Sequence, residues 1–134
     1  MITFTRITIV NMRKPESSKL NEDIQWIGNS LGLFGSRDKN SSCFRIFVEL
    51  LKAARRKEGL TSDQLALRCE LTRGTVVHHL HRLIECGLVR ESFHTYYLQQ
   101  GNLQEIVKLM KKQANDFFDD MIAVCQDVDK EIGL

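Results

Sequence analysis

A chain of 134 residues that is 43% apolar and 27% charged has the make-up of one ordinary globular domain with an extension. It holds no apolar run long and uncharged enough to span a bilayer, and its N-terminus lacks a secretory signal, so a cytoplasmic protein with no membrane contact is expected. Its four cysteines, Cys43, Cys69, Cys86 and Cys125, show no CxxC spacing, which argues against a zinc ribbon or a dithiol redox motif.

The net charge of +2 is unevenly spread. Residues 1–60 hold 11 Lys and Arg against 6 Asp and Glu, residues 61–98 hold 4 against 4, and residues 99–134 hold 4 against 7. The chain divides by pattern into residues 1–16, 17–100 and 101–134. Met1–Val10 alternates loosely and reads either as an edge strand or as a disordered tail ended by Pro15. Ser18–Phe34 reads as a helix, with Leu20, Ile24, Ile27 and Leu31 spaced 4, 3 and 4 apart. Gly35–Ser42 is polar and reads as a loop. Ser42 is the expected N-cap of a helix over Cys43–Lys57, whose core face is expected to be Phe47, Leu50, Leu51 and Ala54. Arg55, Arg56 and Lys57 fill its last turn, where cations suit the helix dipole.

Thr61-Ser62-Asp63-Gln64 has the Thr-x-x-Gln spacing of a capping box and predicts a short helix burying Leu65, Ala66 and Cys69. Thr72 is the expected cap of a second helix, Arg73–Glu85, with Val76, Leu80 and Leu83 on one stripe and Gly87 behind its end. With that stripe turned inward at 100° per residue, Gly74, His78 and His81 point outward. Arg73, Thr75, Val77 and Arg82 lie on the flanks, and His79 sits beside the core. Leu88-Val89-Arg90-Glu91-Ser92 and Thr95-Tyr96-Tyr97-Leu98 predict a hairpin turning at Phe93-His94, with Tyr96 and Leu98 toward the core. The fold class expected is mainly α with a short β-hairpin: a winged helix-turn-helix, the helix pair over residues 61–86 and the wing over 88–98.

Leu71-Thr72-Arg73-Gly74-Thr75-Val76-Val77-His78-His79-Leu80, followed by Leu83 and Cys86-Gly87-Leu88-Val89, resembles the recognition-helix signature of ArsR-type winged-helix repressors. The resemblance spans about Phe44–Leu98 and implies a dimeric transcription regulator that binds double-stranded DNA. Arg73, Thr75, Val77 and His78 would then read bases beside the open Gly74. His81 and Arg82 would reach backbone or groove edges, and Arg90 is the one cation of the wing. The family's metal sites place Cys on the first helix of the pair, or Asp and His on the last helix. Here the first segment reads Ser62-Asp63-Gln64-Leu65-Ala66 and the last helix has no His, so no metal and no other cofactor is expected.

Residues 102–132 form the second long pattern. Leu103, Val107, Met110, Ala114, Phe117, Met121, Val124 and Val128 recur at near-heptad spacing over a helix about 45 Å long. That is more apolar length than a small domain covers, and a homodimer seam is expected from it. The acidic residues of this helix read as a solvated face. No nucleophile with an evident base and no Gly-rich phosphate loop is present, so no enzyme is expected. The alternative is a winged-helix module that binds another protein. A sensor acting through Cys125 is a third reading.

Overall fold

The computed structural model describes residues 4–16, 19–34 and 41–134. The described elements are α1 (Leu20–Ser30), α2 (Ser42–Arg55), β1 (Leu60–Thr61), α3 (Ser62–Cys69), α4 (Arg73–Glu85), β2 (Val89–Ser92), β3 (Thr95–Leu98) and α5 (Leu103–Ile132). This is the mainly helical winged helix-turn-helix with a long last helix that the pattern predicts. The polar stretch over residues 35–40, with Arg37 and Lys39, lies outside the described residues, as do residues 1–3 and 17–18.

The local signals act as their chemistry requires. Thr61 and Gln64 form the reciprocal capping box at the start of α3, at 3.1 and 2.9 Å. The Thr72 side chain accepts the Thr75 N–H at 3.2 Å and starts α4. Gly87 follows α4 with φ +87°, a backbone state that costs glycine nothing. Val76, Leu80 and Leu83 are fully buried.

The core forms around α2. Ile46, Phe47 and Leu50 of that helix meet Leu65, Leu80, Leu88 and Ile106, which are all buried. The α2 stripe is broader and turned relative to expectation: Cys43, Ile46, Phe47, Leu50 and Ala53 are buried, while Leu51 and Ala54 lie at the margin. A helix packed on by α3, α4 and β3 together buries more than one narrow stripe. Ser42 is not the cap. It is the first helical residue and buried, and Ser41 precedes it with φ 52° and no side-chain cap bond.

The wing is three-stranded, in the order β1-β3-β2, all antiparallel. The strand absent from the sequence reading is β1, where Leu60 pairs with Tyr96 and Thr61 with Thr95. Two residues carry no periodicity, so no pattern announces them. Tyr96 and Leu98 cover the core as expected.

Helix α1 is shorter than expected, stopping at Ser30 rather than running to Phe34. Gly32 turns left-handed and the Leu33 N–H bonds the Gly28 carbonyl at 2.9 Å, a Schellman-type stop that frees Leu33 to bury. Phe34 then meets Phe44 edge-on, with ring centroids 5.6 Å apart.

The described part of the N-terminal segment is neither strand nor free tail. It lies along the domain without joining a sheet. The Phe4 N–H donates to Gln113 Oε1 at 2.7 Å, the Val10 N–H to the Ser30 carbonyl at 2.7 Å, and Trp26 Nε1 to the Met12 carbonyl at 3.0 Å. Phe4 and Ile7 pack on the core.

Helix α5 divides in two. Its first turns bury Ile106 and Met110 against the same chain, with Leu103 at the margin. Met110, expected on a seam between copies, is therefore covered by its own domain, and Ile106 joins it there. Beyond them the helix projects. Phe117, Phe118, Met121, Ile122, Val124, Val128 and Ile132 are all exposed in the single chain. Among the described residues no helix is long and apolar enough to cross a membrane.

Candidate nucleic-acid interface

The α3–α4 pair is held as a rigid elbow. Glu70 ends α3 in the left-handed region at φ 54°, and the Leu71 N–H bonds back to the Ala66 carbonyl at 3.0 Å. From α2, Arg45 Nη1 donates to the Cys69 carbonyl at 2.7 Å, so a guanidinium satisfies the C-terminal end of α3. The stripe Val76–Leu83 then fixes the rotation of α4 and decides which residues face outward.

The outward residues are those expected. Arg73, Gly74, His78 and His81 are exposed, and Thr75, Val77 and Arg82 are half-buried. Among the described residues nothing stands within 4 Å of where a Cβ on Gly74 would be, so the first turn of α4 is open to close approach. Its free backbone N–H groups suit a phosphate or a base edge there. Arg73 Nε lies 3.8 Å from Asp63 Oδ1, both side chains being more than two-thirds exposed. Such a pair is worth little and releases the guanidinium easily. The Thr72 hydroxyl donates to Thr75 Oγ1 at 2.9 Å, which leaves the Thr75 methyl as its outward feature.

Two positions depart from a simple reading head. Arg82 Nη2 donates to the Gly32 carbonyl at 3.3 Å, tying the end of α4 to the end of α1 rather than pointing into solvent. Glu85 is exposed at the last turn of α4, on the same side as His78 and His81. His79 sits beside the core as expected, 8% exposed, with its ring edge-on to His78 at 5.4 Å.

In the wing, Arg90 stacks its guanidinium over the Tyr97 ring at 4.5 Å, which holds it close to the sheet. The tip is Phe93 and His94, with φ 49° and 61° and 96% and 97% exposure respectively. Both residues adopt the left-handed state that a two-residue I′ turn demands, without glycine to ease it. In the sequence they read as a turn. Their strain and exposure make them a second candidate contact, and the two-residue spacing between strands was the signal for it. Burial, then the Glu91 carboxylate that accepts its hydrogen bond, pushes the Tyr96 phenol upward, with Arg73 pulling the other way.

Cys43 and Cys69 are buried, and burial pushes Cys86 up to about 11, so it stays protonated. Cys125 is exposed on the distal α5. Among the described residues no cluster of three or more His, Cys, Asp or Glu side chains is placed to hold a metal ion.

A family model of the IclR helix-turn-helix domain matches residues 48–92. The segment is a helix-turn-helix domain. It begins within α2 and ends with β2, so it contains α3 and α4 whole. This match supports a helix-turn-helix, DNA-binding transcription regulator and does not single out the ArsR type. No curated protein and no solved structure matches the chain.

Proposed function

We propose that the protein is a homodimeric repressor that binds a two-fold operator by laying α4 of each copy in a major groove. The observation that carries this is the open first turn of α4. Arg73 is exposed, Gly74 has empty space before it, and His78 follows one turn on. In this reading Arg73, Thr75, Val77 and His78 read bases. His81 contacts backbone, and Arg82 joins it by exchanging the Gly32 carbonyl for a phosphate. Arg90 acts from the wing. The ArsR-like pattern over Leu71–Val89 is the support for a repressor of that kind.

The dimer in this reading forms through the distal part of α5. Ala114, Phe117, Met121, Val124 and Val128 repeat at 3 and 4 along it, and beyond Ala114 each is exposed in the single chain. A two-fold pairing through such a stripe presents two heads, which suits half-sites roughly 34 Å apart.

A second reading is a winged-helix module that binds a protein. It is favoured by the head's formal neutrality over residues 61–98 and by Glu85 on the outward side of α4. Anisotropy of a fluorescent duplex over a salt series separates the two. Affinity that falls steeply with salt is the mark of phosphate neutralisation. Absence of binding at about 50 mM salt by folded protein favours the protein partner.

A further inference from the structure

A groove of about 570 Å³ lies between α1, α2 and the end of α3, and none of the residues proposed to contact DNA lines it. Its wall is apolar: Leu20, Ile24, Phe44, Val48 and Leu51 line it. Leu20 is 74% exposed, although it stands on the inward-leaning stripe of α1 with Ile24. Its rim is cationic. Among the described residues Arg45, Lys52, Arg55 and Arg68 line it with one carboxylate, Glu49. Glu49 lies 3.5 Å from Lys52 Nζ and 3.8 Å from Arg68 Nη1. Arg45 is turned to the Cys69 carbonyl, and Lys52, Arg55 and Arg68 against Glu49 leave a positive rim beside apolar surface that a bare phosphate would not use.

We propose that this groove binds an anionic amphiphile, a free aliphatic carboxylate of medium to long chain. The chain lies along Leu20, Ile24, Val48 and Leu51, and the carboxylate meets Arg55 and Lys52 at the rim. The volume is in the range of pockets that enclose small ligands. Arg68 and Cys69 belong to the last turn of α3, so the ligand is seated against the first helix of the helix-turn-helix. The proposal stands apart from the DNA reading, because binding is measured without DNA.

The test is calorimetry with monomeric dodecanoate, decanoate and dodecyltrimethylammonium, all below their micelle concentrations. One dodecanoate per chain is expected. Decanoate should bind roughly ten- to fifteenfold more weakly, since each buried methylene is worth about three- to fourfold in affinity. The cationic analogue should bind at least about tenfold more weakly than dodecanoate, lacking the charge-assisted contacts. Lys52→Glu with Arg55→Glu should reduce dodecanoate binding by a similar factor. Both residues are exposed, so circular dichroism should be unchanged and the loss reads on binding. Equal binding of the cationic amphiphile, or binding indifferent to the double substitution, overturns the proposal. So does a failure of dodecanoate to bind while the double substitution shifts the oligomeric state, which would assign the groove to contacts between copies.

Discussion

The ring of Phe4 lies against Gly87, in the space a side chain at that position would occupy. Gly87 is the left-handed residue that ends the candidate recognition helix, and Phe4 is bonded through its N–H to Gln113 of α5. One N-terminal residue thus bridges the end of α4 and the start of the projecting helix. Gly87→Ala meets two costs, an unfavourable φ and displacement of the Phe4 ring, and should destabilise the fold by about 2–3 kcal/mol. Phe4→Ala in the same chain should recover part of that. Urea unfolding of the two single variants and the double variant measures the coupling, and strict additivity would remove the contact from the account.

The wing tip predicts a gain. Phe93 and His94 hold φ > 0 with almost no packing to lose. Phe93→Asn with His94→Gly places the favoured residues in an I′ turn and should stabilise the chain by about 1–2 kcal/mol. An unchanged urea midpoint would show that the tip is not strained. If duplex affinity falls while stability rises, the tip contacts DNA.

Arg73 separates reading from folding. Its partner Asp63 is exposed, so Arg73→Ala should change stability by less than about 1 kcal/mol. On an operator it should cost about 1–3 kcal/mol and relax preference at one base position. A selection from randomised duplexes gives the readout, and an unaltered preferred site excludes Arg73 from base contact.

The two parts of α5 should respond oppositely. Met110→Ala empties a site inside the domain and should cost about 2–5 kcal/mol in stability. Phe117→Glu with Val124→Glu changes residues that are 62% exposed and should leave the fold intact while converting dimer to monomer in sedimentation velocity. Unchanged sedimentation would place the dimer contact elsewhere or show that there is none.

The Cys86 thiol supplies a pH prediction. Burial raises its pKa from the usual value near 9 to about 11, so the folded state favours the protonated form. That contribution to stability is fully present below pH 9 and is lost as pH rises toward 11. Cys86→Ala should flatten the slope in that window. In native protein at pH 8, iodoacetamide should modify exposed Cys125 and spare Cys86. Equal rates would contradict the burial.

What the sequence determined by itself was whatever is settled within a few residues along the chain. Thr61 with Gln64, Thr72 with Thr75, the stripe Val76-Leu80-Leu83 and Gly87 are caps, turns and one helical face, and each is spelled out by neighbours at most a few positions apart. They placed the helix pair and its outward face before any contact was known. What only the tertiary structure decided is what depends on distant partners. Phe4 and Gln113 are 109 residues apart and Arg82 and Gly32 are 50 apart, so no local pattern links them. The same reason explains the missed strand β1, which exists only because Tyr96 lies beside Leu60. It also explains α5, whose apolar repeat is continuous in sequence. Only packing shows that Ile106 and Met110 are covered by their own domain while Phe117 and the residues beyond it are left for something else.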